Sequence, residues 1–319
     1  MTGTAIRTRS SAKHVEGMRQ MGVASRATTE SLDRFRCNTA EALPTRRLRP
    51  FIARYGAYRF QADDLGPTRG LPSRYVTVMI GLGSPFQIAG VGSFTSFVAG
   101  LHERAAMVES TGTVAGIHLF LDPLSTRAIL GCPASAIARG IFSLADVIGP
   151  GTDIELHERL HEARTWEECF GVLDGVLQRG LVESAAPREV GYAWRRITAG
   201  HGRDRVEALA AAIGWSRHHL TECFRHELGV TPKTLSRIAR LEHACALLRS
   251  GPRDLAGVAI TAGYHDQAHM NHEWQAIAGC TPKAWIANEL PFLQDYEFIA
   301  LDDDVTAHDP IEAPMGRRN

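Results

Sequence analysis

The sequence lacks a long apolar run and a cysteine framework. Its 319 residues include no apolar stretch of roughly 18 residues, the length of a transmembrane helix, and no secretory signal pattern is visible. Its six cysteines, at positions 37, 132, 169, 223, 245 and 280, include no CxxC pair. A disulfide scaffold and a zinc ribbon are therefore disfavoured. Structural thiols in a reducing cytoplasm are favoured over a redox sensor.

Motifs for catalysis and metal binding are also scarce. The segment GLGS at residues 81–84 lacks the Lys and following Ser or Thr of a phosphate loop, so it predicts a strand turn. Cys132 has no base near it in sequence, which favours a turn over a nucleophile. His102 and Glu103 have no further ligand at metal-binding spacing. We predict no enzyme activity, no cofactor and no metal site.

One pattern is present twice between residues 203 and 290. The segment GWSRHHLTECFRHELGVTP runs from Gly214 to Pro232, and GYHDQAHMNHEWQAIAGCTP runs from Gly263 to Pro282. With one residue inserted after Tyr264, the two copies align at a constant offset of about fifty positions. Caps, apolar positions and closing glycines match together, which indicates a duplicated supersecondary unit.

Each copy predicts a helix, a tight turn and a second helix. Gly214 and Gly263 end the first helices, while Ser216 and Asp266 are placed to cap the second ones. The buried side of the second helices is predicted to consist of Leu220, Phe224 and Leu228 in one copy and Met270, Trp274 and Ile277 in the other. This is a helix-turn-helix, whose second helix can enter the major groove of DNA.

A helix is also predicted between the two copies. Pro232 suits its first turn, and its apolar stripe consists of Leu235, Ile238, Leu241, Cys245 and Leu248. About 18 helical residues span about 27 Å, close to the roughly 34 Å of one DNA turn. Such a rod could hold two recognition helices over successive major-groove segments.

These residues resemble the AraC-type transcriptional regulators. The resemblance covers about 90 of the 319 residues. It rests on Leu209, Ala210, Ser216, Leu220, Phe224, Gly229, Thr231, Pro232, Arg240, Leu241, Ala244, Leu248, Val258, Ala259, Gly263, Tyr264, Asp266, Gln267, Met270, Trp274, Gly279, Thr281 and Pro282. The chain departs from the family at Glu222 and His272, where members usually carry a basic residue.

The resemblance implies a cytoplasmic, sequence-specific transcription regulator that binds a double-stranded DNA operator. It also implies a small-molecule effector, RNA polymerase and a second copy of the chain as further partners, and no membrane. The charge distribution agrees, because residues 191–288 hold twelve Lys and Arg against eight Asp and Glu although the whole chain has a formal net charge of zero.

The residues predicted to read bases follow the cap of each recognition helix and point away from its apolar side. They are Arg217, His218, Thr221 and Arg225 in the first copy and Gln267, Ala268, Asn271 and His272 in the second. Ser216 and Asp266 are favoured as caps over base readers. Lys233, Arg237 and Lys283 are candidates for phosphate contacts, with solvated surface as an equally good interpretation.

The recognition segments are rich in histidine, which raises a zinc site as an alternative. His218, His219 and His226 lie in the first copy, and His265, His269 and His272 in the second. They fall on the faces that a helix-turn-helix turns to DNA, where imidazoles can bond bases or phosphates. DNA contact is therefore favoured over a metal.

A different pattern precedes the repeat. Residues 51–184 begin with short segments rich in Val, Ile, Phe and Tyr, and they continue with helical segments that include a capping box at Thr165 to Glu168. This predicts an α+β domain followed by an all-α domain of two helix-turn-helix units joined by a long helix. The resemblance implies that the α+β domain senses an effector or forms a dimer, and an apolar pocket within the sheet is one place for the effector.

The domain boundaries follow from composition. Residues 1–48 predict a basic, solvated tail rather than a DNA-contacting arm, residues 184–190 a linker, residues 190–290 the DNA-binding domain, and residues 291–319 an acidic tail. Two alternatives remain open. One is a ligand-binding or DNA-modifying enzyme that carries a DNA-binding domain. The other is a protein-interaction module, since Glu222 and Glu273 make the recognition helices less basic than usual.

Overall fold

The chain folds into a sheet domain followed by a helical domain. The computed structural model describes residues 6–9, 38–62, 66–184, 186–251 and 254–289. The predicted order of an α+β domain and then an all-α domain is confirmed. Within those residues, no helix combines the length and the apolarity needed to span a bilayer.

The strands of the sheet domain form two antiparallel sheets. Their bounds are β1 (Ile6–Arg9), β2 (Asn38–Ala42), β3 (Ile52–Ala62), β4 (Thr68–Gly70), β5 (Val76–Gly81), β6 (Phe86–Ile88), β7 (Gly92–Phe94), β8 (Ser96–Ala99), β9 (Ala106–Glu109), β10 (Gly112–Leu121) and β11 (Ile141–Ser143). The larger sheet has the order β1-β2-β3-β10-β5-β8-β11, and the smaller one has the order β4-β9-β6-β7. The short segments rich in Val, Ile, Phe and Tyr that were predicted as strands contain strand residues.

The two faces of the larger sheet bury different side chains, because neighbouring residues of a strand point to opposite faces. Val78 and Ile80 of β5 and Leu119 of β10 belong to a core shared with helices. Met79 of β5 packs instead with a cluster that includes Phe86 of the smaller sheet. The larger sheet therefore lies between the smaller sheet and a helical layer.

The helical layer follows the strands in sequence. A 3-10 turn at Pro123–Ser125 leads to α1 (Thr126–Leu130), α2 (Ala134–Ile137), α3 (Leu144–Ile148), α4 (Pro150–Glu162) and α5 (Trp166–Arg179). The predicted capping box of α5 is present. The Thr165 hydroxyl accepts the Glu168 N–H at 3.2 Å, and the Glu168 carboxylate accepts the Thr165 N–H at 3.3 Å.

The helical domain holds the repeat. Its helices are α6 (Arg188–Ala199), α7 (Val206–Ala212), α8 (Arg217–Leu228), α9 (Pro232–Arg249), α10 (Leu255–Ala262), α11 (Gln267–Ala278) and α12 (Pro282–Asn288). Helices α7 and α8 form the first helix-turn-helix unit, and α10 and α11 form the second. The core of the first unit is continuous with the core of the sheet domain, whereas the second unit has a core of its own around Met270, Trp274 and Trp285.

Two predicted boundaries were wrong. The basic tail was extended to residue 48, yet β2 pairs with β3 in the larger sheet and Leu48 is fully buried. Five residues of β2 carry only two buried alanines, Ala40 and Ala42, which is too little apolar character to predict a strand. The linker was placed at residues 184–190, but α6 begins at Arg188. The rest of the predicted basic tail, residues 1–5 and 10–37, and the acidic tail, residues 291–319, lie outside the described residues.

Candidate nucleic-acid interface

The first helix-turn-helix unit is built by local signals. Gly214 takes the left-handed conformation at φ 73°, which ends α7. The Ser216 hydroxyl then accepts the N–H of His219 at 3.1 Å and caps α8. Leu220, Phe224 and Leu228 are fully buried, so the orientation of α8 about its own axis is fixed and its opposite side faces outward.

The second unit repeats this geometry. Gly263 is left-handed at φ 89°, and the Asp266 carboxylate accepts the N–H of His269 at 2.7 Å. That hydrogen bond, followed by the one with the His265 side chain, lowers the pKa of Asp266 and keeps the cap ionised. Met270, Trp274 and Ile277 are buried, as predicted. Trp274 packs edge-on against Trp285 of α12, with ring centroids 5.4 Å apart.

Helix α9 separates the two units and holds the second. It has 18 residues, and its predicted apolar stripe is buried. On α11, the Glu273 carboxylate accepts a hydrogen bond from the Arg240 guanidinium at 2.9 Å and lies 3.2 Å from Nε of Arg237. Because Glu273 faces α9 and is only 13% exposed, the expectation that it makes the recognition face less basic was wrong.

The base-reading candidates of the first unit lie on the outward side of α8. Arg217, His218 and Arg225 are exposed, and Thr221 is half-buried with its hydroxyl donating to the Arg217 carbonyl at 2.8 Å. Arg217 bonds Glu207 of α7 at 2.8 Å, and Arg225 bonds Glu222 at 2.7 Å. Since exposed pairs of this kind contribute about 0.2 to 1 kcal/mol, either guanidinium can leave its carboxylate for a stronger partner.

The candidates of the second unit are less uniform. Gln267, Ala268 and His272 are exposed on α11. Asn271 is half-buried, and its Oδ1 is enclosed by protein with no hydrogen-bond donor among the described residues. The geometry therefore favours Gln267 over Asn271 as the amide that can reach a base edge.

The three residues predicted to contact phosphates also differ in exposure. Lys233, in the first turn of α9, and Lys283, in the first turn of α12, are exposed. Arg237 is half-buried beside Glu273, which makes it part of the α9–α11 contact. Lys233 and Lys283 occupy matching positions after the two Thr-Pro pairs, so they are presented in the same way by both units.

The histidines of the two recognition segments do not converge. His265 lies beside the cap residue Asp266 at 3.0 Å, and His226 lies beside Glu227 at 2.9 Å. His219 packs edge-on against Trp215, at 4.4 Å between ring centroids. Across the described ranges, no three His, Cys, Asp or Glu side chains come close enough together to hold a metal ion.

The carboxyl ends of both recognition helices contact the sheet domain. A Cβ on Gly229, which ends α8, would lie 2.2 Å from the Cβ of Ala138, just after α2. The Ile277 carbonyl, near the end of α11, accepts the N–H of Ala105 at 2.7 Å. The amino-terminal ends, which carry Arg217 and Gln267, stay exposed. Both helices thus present the same end to solvent.

The contacts between the two domains include charged residues that the sequence did not single out. Arg127 of α1 bonds Glu227 of α8 at 3.2 Å, Arg69 of β4 bonds Glu289, and Arg74 contacts Glu242 of α9. The partners of these pairs lie 100 to 220 positions apart in the chain. No local spacing signals such a pair, so a single sequence gave no means of finding it.

Comparison with known proteins agrees with this geometry. A family profile described as a helix-turn-helix domain matches residues 209–288. The chain is 36% identical over 62 residues to the uncharacterized HTH-type transcriptional regulator YbfI of Bacillus subtilis. This match covers 19% of this chain and 22% of that protein. The chain is 29% identical over 85 residues to the MmsAB operon regulatory protein of Pseudomonas aeruginosa. This match covers 27% of this chain and 28% of that protein. The matches thus span about a quarter of the length of these relatives.

Solved structures with a similar backbone path include ToxT from Vibrio cholerae. The identity is 11%, the match covers 78% of this chain and 98% of ToxT, and the TM-score is 0.42. For the AraC-like transcriptional activator CuxR the identity is 15%, the coverage is 75% and 94%, and the TM-score is 0.26.

The family profile lies within the two units, and the structure repeats the same cap, turn and buried face in each of them, with an 18-residue helix between. Residues 209–288 of this chain are therefore a helix-turn-helix domain of the AraC type.

Proposed function

We propose that this protein is a sequence-specific DNA-binding transcription regulator in which α8 and α11 read successive segments of the major groove. The observation that carries the proposal is the shared orientation of these helices. Both are capped, both bury one side, and both leave the amino-terminal end exposed. The amino-terminal residues of a recognition helix are the ones that contact base edges.

The side chains suit distinct roles in this reading. Arg217 and Arg225 present guanidinium groups that can bond the O6 and N7 atoms of guanine, and Gln267 presents an amide that can bond the N6 and N7 atoms of adenine. His218, Thr221, Ala268 and His272 complete the surface against the groove. Lys233 and Lys283 are assigned to phosphates, which position the protein but carry no sequence information.

The sheet domain is proposed as the regulatory part. It holds the carboxyl ends of both recognition helices through Ala138 and Ala105, so a change in its shape would alter how α8 and α11 are presented. We assign control by a small-molecule effector to this domain. We assign RNA polymerase and a second copy of the chain to the regulator as protein partners, and the cytoplasm as its compartment.

Fluorescence anisotropy of the purified chain tests the proposal. The protein is titrated into a labelled fragment of DNA from upstream of its own coding sequence, with random-sequence DNA as competitor and with salt varied. A regulator binds the fragment in the presence of competitor, and its affinity falls steeply as salt rises because counterions are released from phosphates. Binding that is insensitive to salt and sequence would contradict the proposal and favour a protein partner for the helical units.

A further inference from the structure

An apolar cavity of about 230 Å³ lies between the larger sheet and the helical layer. Its floor includes Val78, Ile80 and Leu119 from the sheet, and its mouth includes Val147, Ile148 and Thr152 from α3 and α4. Its walls come from α1, α3, α4 and α5. It lies on the face of the larger sheet that points away from the smaller sheet, since its floor residues belong to the core shared with helices.

The lining determines what kind of molecule the cavity accepts. Among the described residues that line it, none is charged, none is aromatic, and the Thr152 hydroxyl at the exposed mouth is the only polar side-chain group. Transferring an unpaired carboxylate or ammonium into such surroundings is strongly unfavourable. A purely apolar cavity of about 150 Å³ binds benzene, so this larger one suits a substituted ring or a branched chain.

The cavity wall is also in contact with the first recognition helix. Ile129 and Leu130 of α1 line the cavity, and Arg127 of the same short helix bonds Glu227 of α8. The next helix, α2, packs against Gly229 at the end of α8. A displacement of α1 by a bound molecule would therefore be transmitted to α8 through these two contacts.

We propose that this cavity binds an uncharged hydrocarbon-like small molecule of about eight to twelve carbon atoms and that its occupancy alters the DNA affinity of α8. The first half of the proposal, binding of the molecule, depends only on the cavity. The second half rests on the proposed function, because it requires that α8 contacts DNA.

The binding half is tested with a matched pair of probes on the full-length chain. The first probe is p-cymene, an uncharged alkylbenzene, and the second is 4-isopropylbenzoate, which replaces its ring methyl by a carboxylate. Thermal shift and saturation-transfer NMR measure binding without DNA. We expect p-cymene to raise the Tm and to show saturation transfer, and 4-isopropylbenzoate to do neither at the same concentration. Equal binding of the two probes, or no binding of p-cymene, would overturn the inference.

Two substitutions locate the site. Val147→Trp places a large ring in the half-buried mouth and should weaken p-cymene binding by at least about tenfold. Val91→Trp adds the same ring at an exposed turn of the smaller sheet, far from the cavity, and should bind p-cymene as the unmodified chain does. If Val147→Trp does not fold, Thr152→Trp at the exposed rim replaces it. Unchanged p-cymene binding in the blocked variant would show that the probe binds elsewhere, and would overturn the assignment.

The coupling half is tested by the DNA affinity of the same preparations. Saturating p-cymene should change the Kd for the DNA fragment by at least about fivefold. Arg127→Ala should reduce this change, because it removes one of the two contacts with α8 and leaves that of α2 with Gly229, while p-cymene still raises the Tm. A DNA affinity that p-cymene leaves unchanged would overturn the coupling. Loss of the proposed function itself would be recognised separately, because the chain would then not bind DNA with or without the probe while the thermal shift persisted.

Discussion

The backbone N–H of Arg74 donates to Oε1 of Glu242 at 2.8 Å, and Nε of the same arginine lies 3.6 Å from Oε2. Arg74 precedes β5 in the sheet domain, and Glu242 lies in the middle of α9. Their side chains are 3% and 6% exposed. The helix that separates the two DNA-binding units is thus fixed at its centre to the sheet domain by a buried ion pair.

Glu242→Ala should destabilise the protein by about 3 to 5 kcal/mol, because it leaves the Arg74 guanidinium buried without its carboxylate. Urea denaturation measures the loss. Glu222→Ala removes an exposed carboxylate from α8 and serves as the control, with an expected change within about 0.5 kcal/mol. Equal unfolding midpoints for the two variants would show that the buried pair does not hold the domains together.

A comparison of Gly229 with Gly279 tests the contact between α8 and the sheet domain. Both glycines end a recognition helix, with φ values of 73° and 71°. Alanine at either position is strained by about 1 to 2 kcal/mol. A Cβ on Gly279 meets no atom within 4 Å, whereas one on Gly229 would overlap Ala138. Gly229→Ala should therefore lower the free energy of unfolding by about 1 to 3 kcal/mol more than Gly279→Ala. Chemical denaturation of the two variants side by side measures this difference. An equal loss of stability in both would contradict the close contact between Gly229 and Ala138.

Trp274→Ala should destabilise the second unit by about 3 to 5 kcal/mol, since the indole is fully buried against Trp285 and its removal leaves a cavity. His272→Ala, on the exposed side of the same helix, is the matched control. Circular dichroism melting curves of both variants provide the measurement. An unchanged melting curve for Trp274→Ala would place the indole outside the core.

Asp122 should make stability depend on pH in a direction unusual for a carboxylate. It lies at the end of β10, and burial raises its pKa from 3.8 to about 7. A raised pKa means that the folded state holds the proton more tightly than the unfolded state. The resulting stabilisation is complete below pH 3.8 and is lost as the pH rises through about 7.

Asp122→Asn removes this pH dependence and keeps a side-chain oxygen that can accept the Leu124 N–H. At about pH 8 the variant should be more stable than the unmodified chain by at least about 1 kcal/mol, and at about pH 4 the difference should vanish. Melting temperatures measured across this pH range check the prediction. A variant that is less stable at about pH 8 would mean that the ionised carboxylate is favourable where it lies.

The sequence predicted what short-range physics determines. Caps such as Ser216, Asp266 and Thr165 lie within three residues of the N–H groups they accept, and helical spacing alone selects Leu220, Phe224 and Trp274 as buried. The enrichment of short segments in Val, Ile, Phe and Tyr likewise located the longer strands of the sheet domain.

Features set by distant parts of the chain were not predictable. Glu273 and Asn271 lie on the recognition helix by spacing, but the Glu273 carboxylate turns inward to the arginines of α9, and the amide oxygen of Asn271 is enclosed by protein. The strand β2 and the pairing of Arg74 with Glu242 likewise depend on partners that no local pattern reveals.

Hydroxyl-radical footprinting on DNA selected from a random pool tests the central claim that both recognition helices read sequence. We expect two protected patches on one face of the duplex, about one helical turn or 10 base pairs apart. Arg217→Ala should relax base preference in one patch and Gln267→Ala in the other, each with a loss of about 1 to 3 kcal/mol in specific binding. A single protected patch, or unchanged preference in both variants, would contradict the account.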